Sequence, residues 1–84
     1  MAKLRTRFQP KMTQEKGFIR REDDGFTFSG SKRGVEKIEL FCTRRRRAYH
    51  MNKEKTEIRF SAFQTEKQLI FDLLDVNGIR VSMI

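Results

Sequence analysis

The 84-residue chain has no tryptophan and only one each of cysteine, proline, histidine and tyrosine. With Cys42 alone, no disulfide can form within it. It must hold itself together with one small core, since chains of this size bury only about 60% of the surface exposed when unfolded. A single thiol fits a reducing compartment, so a cytoplasmic protein is expected. One His and one Cys do not supply the three or four ligands of a metal site, and neither a metal nor another cofactor is expected. No Ser-His-Asp arrangement can be specified either. No apolar run approaches the roughly 20 residues that span a bilayer. The charges in residues 1–5 are not followed by the apolar stretch of a secretory leader.

Positive charge is abundant. Nineteen Lys and Arg oppose eleven Asp and Glu, for a net charge of +8, and the sequence pI is about 10.3. A small domain this basic suits nucleic acid, and it also suits an acidic protein surface. The charge is uneven. Residues 61–84 set Lys67 and Arg80 against Glu66, Asp72 and Asp75, so the last part reads as scaffold and the cations of interest lie upstream. Eight phenylalanines supply most of the bulk available to a core.

The densest feature is Arg44-Arg45-Arg46-Arg47, followed at once by Ala48, Tyr49 and His50. Four adjacent guanidinium groups repel one another, so the run must be solvated or face an anion. Residues 1–14 carry Lys3, Arg5, Arg7 and Lys11 without an acid. They read as an edge strand with a basic outer face, limited by Pro10, or as a basic arm. Residues 15–84 read as a single domain. Residues 17–21 and 26–29 flank Glu22-Asp23-Asp24-Gly25, and Asp-Gly there points to a tight hairpin turn with positive φ. Residues 29–34 read as a loop. Residues 35–43 alternate, with Ile38, Leu40 and Cys42 on one face and Glu39, Phe41 and Thr43 on the other, which predicts a strand with Cys42 in the core. Phe41, on the polar side of that strand, is then either covered by the chain ends or a stacking surface. Residues 52–55 form a polar turn, and residues 56–61 a strand with Ile58 and Phe60 inward.

Thr65-Glu66-Lys67-Gln68 has the form of a capping box, and Leu69, Ile70, Leu73, Leu74 and Val76 follow at helical spacing. Asn77-Gly78 ends this helix. A short last strand has Ile79, Val81 and Met83 on one side, with Arg80 and Ser82 on the other. The expectation is an α+β fold: an antiparallel meander of about five strands, one C-terminal helix and a short final strand.

The function expected from these residues is non-catalytic binding of nucleic acid, RNA ahead of DNA, by an arginine-rich hairpin. Arginine's planar fork contacts phosphate oxygens in pairs and stacks on bases. Arg44, Arg45, Arg46 and Arg47 are the main phosphate-contacting group. Tyr49 and His50 lie beside them, Lys53 and Arg59 extend the cationic hairpin, and Arg20, Arg21, Lys32 and Arg33 add to it. The glycine- and hydroxyl-rich loop around Lys32 and Arg33 does not match a phosphate-loop pattern. Two alternatives carry different tests. One is a small regulator or inhibitor that docks on an acidic surface of a larger protein. The other is a metal-independent ribonuclease using His50 or Tyr49 as acid or base. Membrane adsorption is not expected, because the helix candidate carries Asp72 and Asp75 rather than a basic face. A monomer or small homo-oligomer fits the size.

Overall fold

The computed structural model describes residues 15–83, so the basic arm or edge strand expected at 1–14 lies outside the described residues. The chain forms β1 (Glu15–Glu22), β2 (Gly25–Gly30), α1 (Lys32–Arg45), β3 (Tyr49–Met51), β4 (Glu57–Ser61), a 3₁₀ turn (Gln64–Glu66), α2 (Lys67–Val76) and β5 (Ile79–Met83). The result is a small α+β fold with one five-stranded sheet in the order β3-β4-β2-β1-β5. Three strand pairs are antiparallel, but β5 lies parallel to β1. The sheet is therefore mixed rather than an antiparallel meander, and two helices cover it instead of one.

The largest departure from expectation is α1, which occupies the stretch read as loop and strand. Ile38 and Cys42 are both even-numbered and also four apart, so they satisfy a strand and a helix equally. Leu40 and Phe41 decide between them. In the helix Val35, Ile38, Phe41 and Cys42 are buried, while Leu40 is 48% exposed. Phe41 is thus a core residue and not a stacking surface. Ser31, read as part of a loop, is the N-cap: its Oγ accepts from the Gly34 N–H at 3.1 Å and donates to Glu15 at 2.8 Å. The hydroxyl thus satisfies one free amide of the first turn and ties α1 to the start of β1.

The alternation expected of the strands holds. Ile19, Phe26, Phe28, Ile58, Phe60 and Ile79 all point to one side and join the buried faces of α1 and of α2 (Ile70 and Leu74) in one core. Phe28 is at its centre. A Cβ added at Gly17 or Gly34 would come within 2.5 Å and 2.7 Å of the Phe28 ring. These two glycines let β1 and the first turn of α1 close on the aromatic side chain, which is why a helix tolerates glycine at Gly34. The tight turn at Asp23-Asp24 is present, but Gly25 does not have positive φ; among described residues that region holds Arg46, Lys55 and Gly78. Gly25 is needed instead because a Cβ there would overlap the Phe60 backbone on β4.

The C-terminal helix follows the sequence closely, and Gly78 ends it with φ 79°. Its cap differs in detail. The Glu66 carboxylate accepts from the Phe63 N–H at 2.8 Å, in place of a Thr65–Gln68 exchange. The two helices run antiparallel, as their end contacts require. Arg33 in the first turn of α1 donates to the Asn77 carbonyl at the end of α2 at 2.7 Å. Arg45 and Arg47 at the other end of α1 reach Glu66 at the start of α2.

Candidate nucleic-acid interface

The arginine run is neither a strand nor a hairpin tip. Arg44 and Arg45 form the last turn of α1, and Arg46 is its C-cap at φ 57° and ψ 44°. Cations suit this end, because the unpaired carbonyls there carry partial negative charge. The left-handed cap then turns the chain so that the arginines diverge. Arg45 and Arg47 converge on Glu66 at 3.6 Å and 2.9 Å. Their guanidinium groups also lie over aromatic rings, Arg45 over Phe41 and Arg47 over Phe63, each 4.7 Å from the centroid. These two clamp the helices together. Arg44 and Arg46 make no ion pair or side-chain hydrogen bond among the described residues.

Both helices pack on one side of the sheet, so the other side is open among the described residues. Alternation in register places Lys16, Phe18 and Arg20 of β1 there, with Thr27 and Ser29 of β2, Glu57 and Arg59 of β4, His50 of β3, and Arg80 and Ser82 of β5. Phe18 is 49% exposed. It sits two residues from Lys16 and two from Arg20, beside Ser29 and Ser82 on the flanking strands. Arg20, Thr27, Arg59 and His50 form one row across four strands. The row borders a shallow depression of about 240 Å³, lined also by Asn52 and Glu57.

Two acids temper this face. Glu22 accepts from Thr27 Oγ1 at 2.6 Å and pairs with Arg20 at 3.2 Å. The Thr27 hydroxyl above all, then Arg20, holds its carboxyl below the ordinary 4.5. Glu57 accepts from Ser29 at 3.3 Å. The Arg20–Glu22 pair is solvent-accessible, and such surface pairs add little to stability. No known family, curated protein or solved structure matches this chain. Its function has to be sought in the arrangement of its own side chains.

Of the residues singled out from sequence, Arg20, Arg59 and His50 come together on the open face. Tyr49 and His50 do not act as a pair, because they point to opposite sides of β3. The Tyr49 hydroxyl donates to Glu39 of α1 at 3.1 Å, whereas His50 faces the row of arginines. Arg21 is exposed but shares register with Phe26, on the helix side. Lys32 is exposed at the start of α1, and Arg33 is occupied by the Asn77 carbonyl and by Glu15 at 3.7 Å. Lys53 lies in the β3–β4 turn, where Asn52 Oδ1 accepts from the amides of Thr56 and Glu57.

Sequence reasoning does not single out Phe18, Lys16 and Arg80 as site residues. A signal for them exists in 16–20, where Phe18 falls on the same parity as Lys16 and Arg20 rather than with Gly17 and Ile19. Cys42 is fully buried, and burial pushes its thiol up to about 11. A nucleophilic thiolate is not available there. Among the described residues no group of three or more His, Cys, Asp or Glu is placed to hold a metal. No described helix is long and apolar enough to cross a membrane.

Proposed function

We propose that this protein binds single-stranded nucleic acid, RNA ahead of DNA, on the open face of its sheet, without cleaving it. The observation that carries this reading is Phe18, half exposed within the strand and flanked by Lys16 and Arg20. A large aromatic on an uncovered sheet is a platform on which an unpaired base stacks, with nearby cations following the backbone. Adjacent strands are about 4.8 Å apart, so the row from Arg20 to His50 spans the width over which a strand of nucleotides can lie. Double-stranded nucleic acid fits less well, because its bases do not offer their faces to a flat sheet. The arginine run supplies positive potential that steers the encounter, while Arg45 and Arg47 serve the fold. A cytoplasmic setting suits the buried free thiol.

Fluorescence anisotropy with a labelled 12-nucleotide RNA tests the reading. Phe18→Ala is expected to weaken binding by about 1–3 kcal/mol, the contribution of stacking on one aromatic. The Arg20→Ala/Arg59→Ala variant should reduce the slope of log K against log salt by about 0.7 for each phosphate it no longer neutralises. Unchanged affinity and slope in both variants would overturn the proposal. The same RNA, incubated with chelator, is expected to stay intact. Cleavage that disappears in His50→Ala would replace binding with catalysis as the activity.

A further inference from the structure

On the opposite side of the molecule the antiparallel helices leave a groove of about 430 Å³ between them. It is lined by Lys37, Leu40, Phe41, Arg44 and Arg45 of α1 and by Leu73 of α2. Its walls combine apolar and cationic groups in a regular way. Lys37, Leu40 and Arg44 are spaced i, i+3, i+7 and share one face of α1. Leu69, Leu73 and Val76 lie on one face of α2 by the same periodicity, and both Leu69 and Val76 are exposed. Among the described residues no carboxylate lines the groove. Glu36 and Glu39 border an adjoining hollow that shares Lys37 and Leu40 with the groove, and Asp72 and Asp75 border one beside β5. The charged groups lining the groove itself are cations: Arg45 is paired with Glu66, while Lys37 and Arg44 form no ion pair among the described residues.

We propose that this groove receives an acidic amphipathic helix from a partner protein. Leucine-type anchors at i, i+3 or i+4, and i+7 would enter between Leu40, Phe41 and Leu73, the way helices dock in apolar grooves, and glutamates flanking them would face Lys37 and Arg44. Charge selects this occupant over two others. A second copy of the chain would bring another cationic groove lip against this one. Residues 1–14 carry four cations and no acid. Exposed leucine and valine at the helix surface give the apolar contact that a merely solvated charged face lacks. The groove lies on the side away from Phe18, so the proposal stands independently of nucleic-acid binding.

The test uses the full chain and three labelled 15-residue peptides. One is helical, with a leucine stripe and glutamates. The second has lysines in place of the glutamates. The third keeps the acidic composition in scrambled order, which abolishes the stripe. The first peptide is expected to bind at least tenfold more tightly than either of the others. Leu40→Ser and Arg44→Glu should each weaken it at least tenfold, and Leu40→Ser should do so with unchanged thermal melting and unchanged RNA affinity. Phe18→Ala should leave the peptide affinity as it was. Amide shift mapping on the labelled protein should place the perturbed residues along 37–45 and 69–76. Equal binding of the scrambled peptide reduces the effect to net charge and overturns the proposal. So does full peptide affinity in Leu40→Ser, or a shift pattern centred on β1 and β4.

Discussion

The two faces of the sheet are built from the same strands and do opposite things with their phenylalanines. On the helix side Phe26, Phe28 and Phe60 are buried, Phe26 and Phe60 with ring centroids 6.0 Å apart, and Phe28 is closed in by three glycines, Gly17, Gly30 and Gly34. One residue away in register, Phe18 stands half exposed among cations. Arginines divide in a similar way. Arg45 and Arg47 are engaged by Glu66 and by aromatic rings, whereas Arg20 and Arg59 lie on a surface that no helix covers among the described residues. An aromatic or a cation in this chain is thus structural or available according to the face it occupies, not according to how dense its neighbourhood is in sequence.

That contrast can be broken most strongly at Phe28. Phe28→Ala is expected to cost about 3–5 kcal/mol, the usual range for emptying a large aromatic from a core, read as a lower urea midpoint. Phe18→Ala should change stability by well under about 1 kcal/mol, as surface substitutions do, while weakening RNA binding. If the two variants melt alike, the faces are not distinct in the way described. Glu66→Ala is next. It strips the shared carboxylate from Arg45 and Arg47, and hydrogen bonds to charged partners contribute roughly 1.5–3 kcal/mol. Partial exposure of both arginines lowers the expected loss to about 1–2 kcal/mol. No loss on chemical denaturation would show that the helices do not need this clamp.

A pH experiment separates the buried sulfur from the exposed groups. Burial raises Cys42 from its ordinary 9.0 to about 11. Between those values the unfolded chain has released the thiol proton and the folded chain has kept it, so stability falls as pH rises through that window. Cys42→Ala should show a shallower decline from about pH 9 to 11 than the parent, with other titrating groups common to both. The thiol should also resist alkylation at about pH 8 until the protein unfolds. The smallest effect expected is at Arg46. A non-glycine residue in the left-handed region is held at some cost, so Arg46→Gly should stabilise by roughly 0.5–1 kcal/mol. A decrease instead would mean that the guanidinium makes a contact worth more than the backbone strain.

Much of the fold is legible because strand alternation is a local property. The hairpin of β1 and β2, the inward positions of β4 and β5, the polar turn before β4 and the C-terminal helix with its Asn77-Gly78 end all follow from residues near in sequence. The failure at α1 has an equally local cause. Ile38 and Cys42 fit both periods, and Gly30 and Gly34 look like loop residues unless the ring of Phe28 is known to need the space. Reading that helix as a strand carries the arginine run with it, from the C-terminus of α1 to an imagined hairpin tip. At the candidate site Arg20, Arg59 and His50 can be named from charge, but their common row cannot. It requires β4 to lie beside β2, as in the pairing of Thr27 with Arg59, and β2 to lie beside β1.

Spacing along a few residues and the chemistry of their side chains are enough to set the alternation within each strand, the end of α2 and the excess of positive charge. Packing between distant elements is what places β5 parallel to β1, puts both helices on the same side and so leaves Phe18 half exposed among the described residues. It also settles which arginines are used up, because an ion pair to Glu66 or a carbonyl at the end of α2 exists only once those elements have come together. Local chemistry set which groups each element could offer. Burial against the other elements set which of them remain for a partner.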